Sequence, residues 1–222
     1  MAEIKGLAWQ QIAEAGAASL SLRAVARAMG MTSSALYRYF PSREALLTAL
    51  ARDGFASLAD TLEAVEAEVA GVAAAGERFL RIVRAYRAWS LVHPSEYALM
   101  FGTPVPGFEV FGPEVKVELI RGVHVLFRCM IAGVQSGRLH PPDLHGPGAA
   151  RLRAQLRAWD AHEGDRLPPA ALAGCLFAWT QLQGAISLEV FGHMPAPLLP
   201  ADDLFEQQMR QVLATLGSDE AG

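Results

Sequence analysis

Apolar residues return at helical intervals along almost the whole chain. Ile4, Leu7, Ala8, Ile12 and Ala15 keep that spacing up to Gly16, which can take the left-handed conformation that ends a helix. Ser21 is placed to cap a second helix, Leu22 to Met29, in which Leu22, Val25, Ala26 and Met29 fall at i, i+3, i+4 and i+7. Gly30 stops it. One residue later Thr32 can cap a third, very short helix that runs to about Phe40, where Pro41 ends it. Ser42 caps a fourth, and from Arg43 the pattern predicts one long helix toward Val69, with Ala-rich 71–76 as its ragged end.

Beyond this point the predicted helices are longer: 77–92, 94–101, 114–137, 149–162, 168–193 and 202–216, divided by Pro- and Gly-bearing breaks. In the first of them Leu80, Val83, Tyr86 and Trp89 share a face, while Arg78, Arg81, Arg84 and Arg87 line another, most simply a solvated one. Helix 149–162 is polar and reads as an exposed excursion. Helix 168–193 is apolar on two sides, so it should be buried on more than one face. Behind Asp202 as cap, Phe205, Met209, Val212 and Leu216 form one stripe. The whole reads as an all-α chain in two parts. Residues 1–48 carry short, closely broken helices, and 49–222 the longer ones, with the boundary inside a helix.

Composition agrees. Of 222 residues, 39 are Ala and 28 Leu against 27 Val, Ile and Thr together, which favours helices and starves strands of β-branched residues. At 52% hydrophobic and 19% charged the chain can bury a real core. Cys129 and Cys175 stand in apolar surroundings without Cys-x-x-Cys pairing, so neither a disulfide framework nor a zinc site is suggested. The six histidines show no metal-ligand spacing, and no nucleophile elbow, phosphate loop, dinucleotide fingerprint or zinc-protease motif occurs. The expectation is a chain that is not an enzyme, with no catalytic residues, metal or cofactor. The start, Met1 to Lys5, lacks the apolar core of a signal peptide, so none is expected, and the longest apolar stretch, 172–191, is broken by Gln181, Gln183 and Glu189. A cytoplasmic protein with no membrane partner is expected.

The chemistry-bearing pattern lies early. Two short helices joined by a tight Gly turn form a helix-turn-helix, whose second helix enters the DNA major groove N-terminus first. In the third helix Leu36 and Phe40 can pack inward, leaving Ser33, Ser34, Tyr37 and Arg38 outside with Thr32 at the tip. Small hydroxyls allow approach to base edges; Tyr37 and Arg38 can reach phosphates, and Arg43 sits where the next helix begins, another phosphate-friendly place. Net charge is −4, which on its face argues against nucleic acid. The first 55 residues, however, hold six basic and four acidic side chains, leaving the deficit to the rest. On pattern alone a DNA-independent helical ligand-binding or adaptor protein stays open.

The run from Ser21 to Leu46, most specifically Leu36-Tyr37-Arg38-Tyr39-Phe40-Pro41-Ser42-Arg43-Glu44-Ala45-Leu46, resembles the N-terminal signature of the TetR family of transcriptional regulators. Strong similarity covers about the first quarter of the chain. More weakly, Trp89 to Phe101 is similar to the C-terminal domain type named for a Trp-His-Gly motif. The resemblance implies a homodimeric regulator, expected to be a repressor, with a three-helix DNA-binding domain joined by a long helix to a larger ligand-binding and dimerisation domain. It would bind a palindromic double-stranded operator and be released by a small effector. Carried over by position, Ser21, Thr32, Ser33, Ser34, Tyr37, Arg38 and Arg43 become the DNA contacts. Many members have Lys at the position of Ser33 and Gly at that of Ser34, so the helix tip should read DNA differently here.

Helices 168–193 and 202–216 are the expected dimer interface. For the effector, the converging helices offer Phe79, Tyr86, Trp89, Tyr97, Met100, Phe101, Phe127, Met130 and Trp179, with Gln181 or Gln183, His124 and Tyr97 as polar anchors. Such a lining suits an apolar or aromatic molecule. His93, before Pro94, is expected to be structural.

Overall fold

The structure, a computed structural model, describes residues 1–72, 74–163 and 168–218. Ten α-helices and two short 3-10 turns account for its regular structure, and no strand occurs among the described residues. α1 (Ala2–Ala15) buries the stripe Ile4, Ala8 and Ile12 and ends at Gly16. Gly16 has φ 78° and ψ 159°, so the chain leaves in an extended course that only glycine adopts readily. It then makes a 3-10 turn, Ala17–Ser19, that the apolar spacing does not signal. α2 (Leu22–Ala28) is capped by Ser21, whose Oγ accepts the Ala24 N–H. Gly30, at φ 65°, makes the left-handed turn into α3 (Ser33–Tyr37). α3 is shorter than expected. Both Tyr39 and Phe40 donate to the Leu36 carbonyl, so the last turn tightens before Pro41.

α4 (Arg43–Glu68) has 26 residues and spans about 39 Å. α5 (Ala75–Val92), α6 (Pro94–Phe101), α7 (Pro113–Gln135), α8 (Ala149–Glu163), α9 (Pro169–Val190) and α10 (Asp202–Thr215) follow within two or three residues of their expected bounds. The chain forms two compact units that do not follow chain order: Met1–Asp60 with Trp89–Gly122, and Thr61–Ala88 with Val123–Gly222.

In the first unit α2 packs on α3 and on α1, and α1 also meets α6. Leu22, Val25, Ala26, Leu36, Phe40, Leu46, Leu47 and Leu50 are its buried apolar side chains around the helix-turn-helix. Lys5 pairs with Asp53, tying α1 to α4. α4 and α6 come close enough that a Cβ on Gly54 would stand 2.8 Å from the Met100 sulfur.

The second unit corrects one expectation. The arginine face of α5 is not simply solvated. Arg84 donates from two nitrogens to Glu206 at 2.9 and 2.7 Å. Arg87 holds Glu189 with two bonds of 2.7 Å, donates to Asp202 at 2.8 Å and lies over the Phe205 ring. Helical spacing alone showed a polar row; its partners stand more than 100 residues away. Asp202 likewise is not the cap of α10, which Ala201 precedes without a side-chain bond; it stands in the first turn and serves Arg87. α8 is anchored by Leu156, which packs with Leu172 of α9. α9 has the length and apolar composition of a membrane span. Its buried residues, including Leu172, Cys175, Leu182 and Ile186, and its Glu189 pair to α5 seat one side of it in the unit; Phe177 and Leu188 are exposed, so within one chain only one of its two expected apolar faces is covered.

Candidate nucleic-acid interface and effector cleft

Leu36 is wholly buried and Phe40 nearly so, which fixes the orientation of α3 and turns Thr32, Ser34, Tyr37, Arg38 and Tyr39 outward. Tyr37 is 42% and Tyr39 50% exposed, unusual for rings of this size and wasteful unless something covers them. At the tip, Thr32 Oγ1 accepts the Ala35 N–H at 3.3 Å and shares a 3.1 Å hydrogen bond with the Ser34 hydroxyl. Ser33 is half-buried. Ser21 is committed to its cap and donates its own backbone N–H to Gln11 Oε1, which locks the start of α2 to α1.

Arg43 is different. Its guanidinium donates to the carbonyls of Ala17 at 3.1 Å and Ala18 at 2.8 Å, the 3-10 turn after α1, while its Nε is buried without an acceptor. The side chain therefore clamps the first helix to the start of α4. Beside it Ser42 caps α4, accepting the Ala45 N–H. The Glu44 carboxyl is held below the usual range, first by its own backbone N–H and then by the Ser42 hydroxyl.

Three further residues of the helix-turn-helix are exposed beyond the expected set: Tyr39, and Arg23 and Arg27 on α2. The signal for Tyr39 was available, because inward Leu36 and Phe40 leave 37 to 39 all facing out. Exposed basic residues on α2 also put more positive charge near α3 than the sum over the segment conveys.

The expected effector residues fall into separate groups. In the first unit the Tyr97 and Phe101 rings pack tilted at 47° with centroids 5.1 Å apart, Phe101 meets Phe55 edge-on, Met100 is buried against Gly54, and Trp89 donates to the Ser57 hydroxyl. His93 sits against the Trp89 ring and within 3.7 Å of Glu96, in keeping with a structural role. In the second unit Gln183 donates to the Tyr86 hydroxyl at 2.6 Å, and Trp179 meets the Tyr86 ring edge-on. Phe127 packs against Trp159, Phe79 and Met130 are buried, and His124 is half-buried. Tyr86, Trp179 and Gln183 are thus a ready-made polar and aromatic cluster.

The second unit also holds a cleft of about 270 Å³ among the end of α4, the start of α5 and the middle of α7. It is lined by Glu66, Val69, Ala70, Arg78, Ile82, Arg128, Cys129 and Ala132, none of them in the expected aromatic set. Arg128 closes on Glu66 with bonds of 3.0 and 2.6 Å. Burial pushes the Cys129 thiol up to about 11 and that of Cys175 to about 12, where the neighbouring Cys129 adds to the shift, so both are neutral thiols. Among the described residues no cluster of His, Cys, Asp and Glu could hold a metal ion.

Comparison with known proteins agrees with this arrangement. Residues 6–50 match the model for bacterial regulatory proteins of the tetR family, and residues 79–212 that for a tetracyclin repressor-like C-terminal domain. The HTH-type transcriptional regulator Rv1816 of Mycobacterium tuberculosis is 35% identical over 217 residues, 97% of this chain and 91% of that protein. Among solved structures, SCO4313, described as a regulatory protein, is 35% identical with a TM-score of 0.75, covering 96% of this chain and 94% of that one. RolR, solved in complex with resorcinol, shares the fold at 19% identity and a TM-score of 0.51, covering 99% and 88%. A helix-turn-helix with an outward recognition face, a helical C-terminal part and these matches along nearly the whole chain have one reading: the chain belongs to the TetR family of transcriptional regulators.

Proposed function

We propose that this chain is a repressor that binds a palindromic DNA operator as a homodimer and lets go when a small apolar or aromatic effector occupies its C-terminal part. The observation that carries the reading is the outward face of α3, where hydroxyls at the tip stand beside Tyr37 and Arg38 while Leu36 anchors the helix from behind. Thr32, Ser33 and Ser34 would meet base edges, and Ser21, Tyr37 and Arg38 phosphates. Arg43, expected from the sequence to meet a phosphate, would instead support the reading head from behind, its guanidinium donating to the carbonyls of Ala17 and Ala18.

The working division is 1–48 for DNA and 49–222 for ligand and dimer. A palindrome needs two recognition helices about 34 Å apart across a two-fold axis. Exposed Phe177 and Leu188 on α9 supply apolar surface for that pairing, whereas the α10 stripe Phe205, Met209, Val212 and Leu216 is buried within the chain and its outer side, with Gln207 and Gln211, would add polar contacts. The effector would meet the Tyr86, Trp179 and Gln183 cluster or the Tyr97, Met100 and Phe101 group, and we assign the segment Trp89 to Phe101 to the Trp-His-Gly type. RolR bound to resorcinol is an aromatic precedent on the same fold. Release is a population shift. The effector favours a state in which α4 has pivoted and the recognition helices no longer match the operator, for which a few kcal/mol of differential affinity suffice. A cytoplasmic location follows from that role.

Footprinting of the full-length protein on the DNA flanking its own gene tests the reading. A protected palindrome with two half-sites about one helical turn apart is expected. No protection on any genomic fragment in a selection experiment would refute it.

A further inference from the structure

Four arginines stand three residues apart on α5, and three of them are matched to carboxylates. Arg81 pairs with Glu77, Arg84 with Glu206, and Arg87 with Glu189 and Asp202. Arg78 has no carboxylate partner among the described residues, and its Nε is buried without an acceptor. A guanidinium cannot shed its proton and offers five donors, so a buried N–H left unpaired weakens the protein unless something else pairs with it.

That something has room to bind. Arg78 lines the cleft of about 270 Å³ described above. The acid on the same wall, Glu66, has both oxygens taken by Arg128. The remaining lining, Val69, Ala70, Ile82, Cys129 and Ala132, is apolar, the thiol being neutral. The volume is just under the roughly 300–1,000 Å³ of drug-sized ligand sites, which limits the occupant to a small molecule. One unmatched cation beside an apolar wall suits a singly charged anion with a hydrocarbon body better than a phosphate, which would bring a second charge with nothing to meet it.

We infer that this cleft binds a small organic carboxylate, its charge held by the Arg78 fork and its hydrocarbon part by the apolar wall. The inference goes beyond the effector reading above: this cleft is lined by none of the aromatic residues assigned there, so it is a separate, acid-binding site. A built-in carboxylate partner for Arg78 would compete with such a ligand.

The test uses the full-length protein without DNA, with benzoate and isovalerate as probes and benzamide as the neutral counterpart of benzoate, read by calorimetry and thermal melting. Variants are Arg78→Met, Arg78→Lys and the cleft-filling Ala132→Leu. Arg78→Met should melt no lower than the parent, because it removes an unmatched charge and keeps the stem. At least one carboxylate should bind the parent saturably, about tenfold or more tighter than benzamide binds, and lose that advantage in Arg78→Met; Arg78→Lys should retain part of it. Ala132→Leu should weaken the same probe while leaving Arg78 in place. A markedly lower melting temperature for Arg78→Met would make Arg78 a structural residue and overturn the inference. So would binding indifferent to Arg78, or no saturable binding of either carboxylate in the millimolar range. Operator affinity with and without the bound carboxylate is then measured separately. Binding that depends on Arg78 with operator affinity unchanged supports a carboxylate site separate from the effector site; binding that also lowers operator affinity supports a carboxylate site linked to DNA release.

Discussion

Arg38 and Arg43 lie five residues apart, carry the same charge and do different things, a difference that salt can expose. Arg38 is exposed on α3, whereas the Arg43 fork is spent on the Ala17 and Ala18 carbonyls. Each phosphate contact contributes about 0.9 to the slope of log affinity against log salt. Arg38→Ala in a dimer should flatten the slope by about 1.8, so a fourfold rise in salt would cost the variant about twelvefold less affinity than it costs the parent. Arg43→Ala should leave the slope almost unchanged. It loses two charge-assisted bonds at a half-buried site, about 1–2 kcal/mol after allowance for solvent screening, and should lower the melting temperature by a few degrees. Arg43→Lys sharpens the contrast, because lysine keeps the charge a phosphate needs but not the fork that reaches two carbonyls. Fluorescence anisotropy on a retained operator fragment at several salt concentrations, with melting curves for each variant, decides the matter. The reasoning is refuted if Arg43→Ala flattens the slope as Arg38→Ala does while melting like the parent.

Other expectations follow from the same geometry. Thr32→Ala removes the α3 cap and should cost about 1 kcal/mol of stability, with weaker operator binding; urea titration and anisotropy measure both. Arg87→Ala strands Glu189 beside it, both side chains being about one-tenth exposed (12% and 11%), and should cost about 3 kcal/mol by chemical denaturation. The Asp202 and Glu206 carboxyls are held below the usual range by hydrogen bonds from Arg87 and Arg84. Their folded pKa values are depressed, so their stabilisation is complete above the ordinary carboxylate range near about 4 and is lost as pH falls through the lower folded values. Melting temperature should therefore drop below about pH 4, and the drop should be shallower in Asp202→Asn with Glu206→Gln. A Cβ at Gly133 would stand 2.6 Å from Leu139 Cδ1, a buried side chain, so Gly133→Ala should destabilise by about 1–3 kcal/mol despite better helix propensity.

What the sequence made readable was local. Ser21 and Thr32 are caps because a hydroxyl before an apolar-periodic run accepts the N–H three residues on, and both do so here. Leu36 and Phe40 at i and i+4 set which side of α3 faces out, and the helix bounds follow from glycines and prolines that interrupt the period. Side-chain partnerships across the chain were not readable. Arg84 finds Glu206 at a separation of 122 residues and Arg87 finds Glu189 at 102, so a row of arginines at threes looks identical whether it faces water or another helix. For the same reason an aromatic count does not show which rings come together. Phe127 and Phe101 have aromatic neighbours of their own, whereas the cleft in the second unit is walled by small and aliphatic side chains that no periodicity distinguishes from ordinary core.

Charge shows how far a sum can mislead before positions are known. The first 55 residues have two more basic than acidic side chains, a modest excess. Lys5 and Asp53, however, neutralise one another between α1 and α4, and Arg43 is turned toward two carbonyls. The bases left exposed around the turn are Arg23, Arg27 and Arg38, on the two helices of the helix-turn-helix itself. Three exposed arginines on the helix-turn-helix attract phosphate locally, while the acidic remainder of the chain disfavours it elsewhere. On this argument Arg27→Glu should weaken binding to operator and to unrelated DNA alike and flatten the salt dependence of both. Thr32→Ala should act on the operator far more than on unrelated DNA. Equal loss on both substrates from Thr32→Ala would show that the tip of α3 positions the protein without reading sequence.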